Sequence, residues 1–266
     1  MLSIMKKLIK TTLKIILSVL TFLIAGQVSG QDSLSNLNVY PAGISFEYGI
    51  GNYSVKDEYI SKEKYSGTLP YYSFGWARKH NKYVYRLEMA YRNSNDIYNH
   101  NVSTDINQFT LNQGFLYPLK NVTLFKNDLY IWLGPSVEFF FYYSKPNIAV
   151  SGFDYAQSFA GLLSAGFNTE VIYPLKRNFQ LESSLSLTVL SLGFRMVDSE
   201  EDNQSPANFL TLFSGLNSSF DLGARYYIFN RLSVKLAYKF ELTRISAWDS
   251  LLSASDKLII GLTYKF

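Results

Sequence analysis

From Leu258 to Phe266 the sequence places Leu258, Ile260, Leu262, Tyr264 and Phe266 on one parity and Ile259, Gly261, Thr263 and Lys265 on the other. A period of two turns successive side chains to opposite faces of a pleated strand, so this segment reads as a β-strand with one apolar face. The same pattern recurs along most of the chain.

Ile44 to Ile50, Tyr72 to Ala77 and Tyr83 to Arg92 alternate in this way. Further strands are expected around Phe109 to Tyr117, Leu129 to Phe141, Phe159 to Tyr173, from Phe179 to Met196, Phe220 to Ile228, Leu232 to Phe240 and Leu258 to Phe266. In the seventh of these the apolar parity is odd through Val189 and even from Leu192, which predicts a bulge near Ser191. Links near 78–82, 118–127, 174–178 and 229–231 are short, whereas those near 52–68, 94–106, 143–157, 197–212 and 243–255 are longer. An even number of strands joined alternately by short turns and longer loops is the plan of an antiparallel transmembrane barrel. The strands also exceed the about 5–6 residues usual in soluble sheets and approach the about 9–11 of a tilted membrane strand.

At the other end, Lys6, Lys7, Lys10 and Lys14 precede an apolar run from Ile15 to Ala25, followed by the small residues Val28-Ser29-Gly30. This is the pattern of a secretory signal peptide, with cleavage expected after Gly30 and one domain from 31 to 266. Its removal takes four lysines and no acid, so Lys+Arg falls from 25 to 21 and equals Asp+Glu at 21. The charge of +4 therefore belongs to the leader, and a nucleic-acid partner loses its compositional support. With no Cys in the chain, disulfides, thiolate metal sites and an N-terminal lipid anchor are excluded. Nothing in the pattern asks for a cofactor.

Alternation alone does not say which face is inside, and a soluble lipocalin-like barrel alternates too. Here the apolar parity is bulky, with Tyr and Phe together at 41 residues, and would overfill a small bore, whereas the other parity is rich in Gly, Ser, Ala, Thr and Asn. The expected fold is thus all-β, an antiparallel up-and-down transmembrane β-barrel of about ten strands, within 8 to 12. The leader, the alternating strands and the terminal Tyr264-Lys265-Phe266 resemble small bacterial outer-membrane β-barrel proteins of the OmpA/OmpX-like or PorT-like kind. That resemblance implies export, insertion by the barrel-assembly machinery, periplasmic termini and contact with outer-membrane lipid and lipopolysaccharide. It implies no single activity.

On this register the bore receives Glu47, Glu88, Glu138, Glu170, Glu182, Asp221 and Glu241 together with Arg86, Arg92, Arg225, Lys235, Lys239, Lys257 and Lys265, with Arg92 and Lys265 expected near the rims. Seven acids against seven bases suggest an internal ion-pair network, because enclosed charges are costly unless paired. A barrel of about ten strands lies near the size that side chains fill, which disfavours a wide pore and leaves a narrow channel as a third reading.

Catalytic candidates are sparse. His100 lies in an expected outer loop with Asp96 and Asp105 nearby, a set that resembles the Asp-His pair of omptin-type surface proteases and would activate water. Ser94 and Ser103 flank it without a nucleophile elbow, and His80 falls in a short turn. Asp198, Glu200, Glu201 and Asp202 lack the spacing of a calcium loop, and meet lipopolysaccharide-bridging divalent ions at most. The leading expectation is a non-enzymatic barrel whose outer loops meet surface lipid or a partner, with a rim hydrolase as the alternative.

Overall fold

The computed structural model describes residues 39–99, 102–119, 121–124, 127–147, 157–197, 207–211, 214–246 and 249–266. The expected leader lies outside them.

The described chain contains thirteen strands: β1 (Gly43–Asp57), β2 (Lys64–Thr68), β3 (Tyr71–Lys79), β4 (Val84–Asn99), β5 (Val102–Pro118), β6 (Val122–Leu124), β7 (Asn127–Asn147), β8 (Ser158–Lys176), β9 (Phe179–Val197), β10 (Ala207–Thr211), β11 (Gly215–Phe229), β12 (Leu232–Ile245) and β13 (Leu251–Tyr264). All their pairings are antiparallel, and β13 returns to β1 from Ile44↔Tyr264 to Asp57↔Leu251, closing the barrel. Both β2 and β3 lie against β1, from Lys56↔Lys64 to Asn52↔Thr68 and then from Gly49↔Tyr71 to Gly43↔Ala77, so they form one stave interrupted at Leu69-Pro70. In the same way β10 and β11 both lie along β9 and form one stave interrupted after Thr211. The short β6 pairs antiparallel with the start of β7, continuing the stave of β5. Ten staves result, as the alternation indicates, and the pairing of β13 with β1 closes the main sheet on itself.

The two ends of the barrel differ. Val39, Lys265 and the links 80–83, 177–178 and 230–231 lie at one end, here called the terminal end, and the link 58–63 lies at the far end together with the strand ends at Asn99, Val102, Asn147, Ser158, Val197, Ile245 and Leu251. Several strands run further toward the far end than the sequence suggests. Residues 52–57, 94–99, 102–106 and 143–147, expected in loops, are continuations of β1, β4, β5 and β7.

The cause is a change in which face is apolar. Along the terminal half of β1, Phe46, Tyr48 and Ile50 point outward and are exposed, while Ser45, Glu47 and Gly49 point in. Beyond Asn52 the roles exchange: Ser54 and Lys56 point out, and Tyr53 and Val55 point in, 3% and 1% exposed. β5 repeats this, with Phe109 and Leu111 outside its lower part and Ile106 fully buried inside its upper part between outward Asp105 and Asn107. A search for one constant apolar parity ends at that crossover and reads the rest as loop.

The irregularity in β9 is present, two residues from where the parity change places it. Ala165↔Leu190 is followed by Gly166↔Thr188, so Val189 is the extra residue, and both Val189 and Leu190 face outward.

Candidate functional site

The bore holds three layers. At the terminal end Tyr40, Ala42, Val84, Leu116, Trp132 and Ile172 pack into an apolar floor, with Tyr40 edge-on to Trp132 at 5.4 Å between centroids. At the far end Tyr53, Val55, Tyr65, Ile97, Ile106, Tyr142, Leu162, Ile245 and Leu251 belong to an apolar cap inside the projecting staves. Charged side chains occupy the space between.

Strand alternation explains their position, since each residue of the charged set sits on the inward parity of its stave. Arg86 pairs with Glu170 and Glu88, and Glu88 also meets Lys239 at 2.9 Å. Glu241 joins Lys257 and Arg92, each at 2.5 Å, and Lys239 at 3.6 Å. Those seven groups form one connected string across β4, β8, β12 and β13. Lys235 separately bridges Asp221 (2.9 Å) and Glu47 (3.3 Å), and Arg225 holds Glu182 at 2.5 Å above the floor while donating to Thr263 and Ser233. Glu138 differs: it accepts from the Asn112 amide at 2.8 Å and from the Asn217 amide, and forms no ion pair among the described residues.

Arg92 is not at a rim. Because β4 continues to Asn99, Arg92 sits deep in the bore, 3% exposed. Lys265 does lie at the terminal mouth, over the Tyr227 ring at 5.3 Å.

Sequence reasoning passed over two features. Tyr71 is fully buried, with its hydroxyl donating to Glu88 at 3.0 Å and accepting from Lys239 at 3.0 Å. Arg92, Lys239 and Lys257 lie 4.5–5.0 Å from its ring centroid, where the negative face of the ring attracts each cation. Its parity with Ser73 and Gly75 was the available signal. The second is the Asp57–Arg195 pair in the cap, its side chains 2% and 1% exposed. Arg195 also donates to the Asp249 carbonyl and to Ser158 Oγ, tying β9, β8, β1 and the 246–250 link together. Asp57 falls in what the sequence presents as loop, and Arg195 lies past the bulge.

The hydrolase candidates are not brought together. His100 and the side chain of Asp96 lie outside the described residues, as does the acidic run 198–202. Asp105 is on a strand and not on a loop, and its carboxylate accepts from Asn147 at 2.7 Å. Ser103 accepts weakly from the same amide at 3.4 Å. His80 stacks on Tyr83 in the 80–83 turn at 4.6 Å.

The spaces left inside are small. Two cavities of about 60 and 80 Å³ lie among the charged groups, room for a few waters each at about 30 Å³ per water. Such spaces hold fixed charge and a few solvent molecules.

No family model matches the chain, and no curated protein matches it. Among solved structures it is similar to the outer membrane protease OmpT from Escherichia coli, at 9% identity and a TM-score of 0.50, covering 85% of this chain and 97% of that one. It is also matched to the translocator domain of the autotransporter NalP from Neisseria meningitidis (8% identity, TM-score 0.46, 87% and 91% covered). Neisserial surface protein A is a further match (12%, 0.37, 85% and 98%). At such identities the likeness to OmpT shows a shared fold, that of a transmembrane β-barrel, and no shared chemistry.

Proposed function

We propose that this chain is an integral β-barrel of the bacterial outer membrane that serves as a sealed scaffold, non-enzymatic, presenting its projecting cap and outer links to surface lipid or a partner. The observation that carries this reading is the exchange of face polarity along β1 and β5. On β1 and β5 the wall below it is apolar outside and polar inside, as lipid requires, and above it polar outside and apolar inside, as water requires. A barrel so divided is embedded through its terminal part and stands in water through its far part.

The orientation follows the usual plan, with termini and short links in the periplasm and the cap at the cell surface. Export on residues 1–30 and insertion by the barrel-assembly machinery belong to the same reading. Among outer-membrane barrels we place it with the small single-chain kind, on strand number.

The test is conductance of the folded protein in a planar bilayer, beside Glu88→Gln and Lys235→Ala. Silence from protein shown to be folded by its heat-modifiable gel mobility is expected. Stable current steps that either substitution alters would replace the scaffold with a narrow channel.

A further inference from the structure

The charged layer does not balance. Inside the bore, seven carboxylates stand in ion pairs with seven Lys or Arg side chains. Glu138 is an eighth carboxylate, 7% exposed, with two amide donors and no cation among the described residues.

Its surroundings are built and enclosed. Asn168 donates to Asn112 at 3.0 Å, Asn112 to Glu138, and Thr243 to Asn217 at 2.6 Å, so the amides that grip Glu138 are themselves held. Asn168 Oδ1 is left buried without a partner and lines the same cavity of about 60 Å³. The charged and titratable groups sharing that cavity are Glu47 and Tyr53 on β1, Arg86, Glu88 and Arg92 on β4, Asp221 on β11, and Lys235, Lys239 and Glu241 on β12. Every charged one of them is already engaged in ion pairs. β5, β8 and β9 bring no charged group to it, their polar contributions being neutral, Asn112, Asn168 and Ser186 among them.

An uncompensated carboxylate in such a place is strongly unfavourable. We propose that the Glu138 cavity is a binding site for one unit of positive charge, a proton or a small monovalent cation. Glu138 supplies the anionic oxygen and Asn168 Oδ1 a second, neutral one. One unpaired carboxylate asks for one charge, so a divalent ion would only invert the imbalance.

Two measurements on the full folded protein in detergent separate the sources. If the occupant is a proton, the infrared spectrum at neutral pH contains a protonated carboxylic C=O stretch that Glu138→Gln lacks. If it is a metal cation, the unfolding midpoint rises when sodium replaces choline at fixed ionic strength, and Glu138→Gln abolishes the rise. Asn112→Ala, which removes one donor to Glu138, moves the band or weakens the sodium response, and it decides the matter if Glu138→Gln does not fold. A wild type with neither signal overturns the proposal. So does a signal that survives Glu138→Gln or, where that variant fails to fold, is unmoved by Asn112→Ala.

Discussion

Asp57 and Arg195 meet where water is excluded, and Asp57 Oδ2 and Arg195 Nε have no partner of their own. Removing one member of a buried pair strands the other as an unpaired charge, at a cost of about 3–5 kcal/mol, whereas replacing both with apolar groups of similar size is often neutral. Arg195→Ala is therefore expected to destabilise the protein by about that amount in urea unfolding, and the double variant Asp57→Leu/Arg195→Met to recover most of it. A recovery no better than the single variant would mean that the hydrogen bonds from Arg195 to Asp249 and Ser158 matter more than the charges. At the terminal rim, beyond the apolar band, partial burial and the neighbouring Lys265 lower Lys79 to about 8 from its ordinary 10.5. A base with a depressed folded value makes folding less favourable while it is charged, so stability is expected to rise as pH climbs from about 8 towards 10.5. Lys79→Gln should flatten that rise in a series of thermal midpoints. At this scale the sequence located Glu88, Lys239 and Glu241, because parity alone decides which side of a wall a residue takes. It did not locate Tyr71 at the centre of three cations or the isolation of Glu138, since both depend on which staves face each other across the bore.

Among the elements, the ten staves were legible wherever one parity stayed apolar for several residues, as in β4 and β13. The upper parts of β1 and β5 were not, because Tyr53, Val55 and Ile106 sit on the parity that is polar lower down, and no constant-face pattern survives the crossover. Local backbone spacing was hidden as well. Between β5 and β7 the strands approach so closely that a Cβ on Gly134 would stand 1.7 Å from the Phe115 carbonyl oxygen, a backbone atom that cannot swing aside. Gly134→Ala must push two paired strands apart, so a loss of about 1–3 kcal/mol is expected, the range of overpacking. The measurement is the temperature at which the folded gel band converts to the unfolded one. A substitution at Ala165, which faces outward at the β9 irregularity, serves as the control and should shift that temperature little.

For the whole molecule, the arrangement of layers makes a directional claim. An apolar floor at Trp132, a charged middle and an apolar cap at Tyr142 would be redundant in a protein immersed in one solvent, since a single core would suffice. On the proposed reading, the polarity exchange along β1 at Asn52 accounts for the two: the cap is a water-facing core stacked on a lipid-facing barrel. It follows that positions above and below that height must meet different compartments. The chain contains no Cys, so single cysteines introduce a label on a clean background. Lys62→Cys in the far-end link 58–63 is expected to react with a membrane-impermeant maleimide on intact cells. Asn230→Cys, exposed in the terminal-end turn, should react only after the envelope is opened, and Val55→Cys, buried in the cap, only after unfolding. Reversal of the first two would invert the barrel in the membrane and turn the cap to the periplasm. Labelling of both on intact cells would remove the membrane from between them, and with it the reason for two cores.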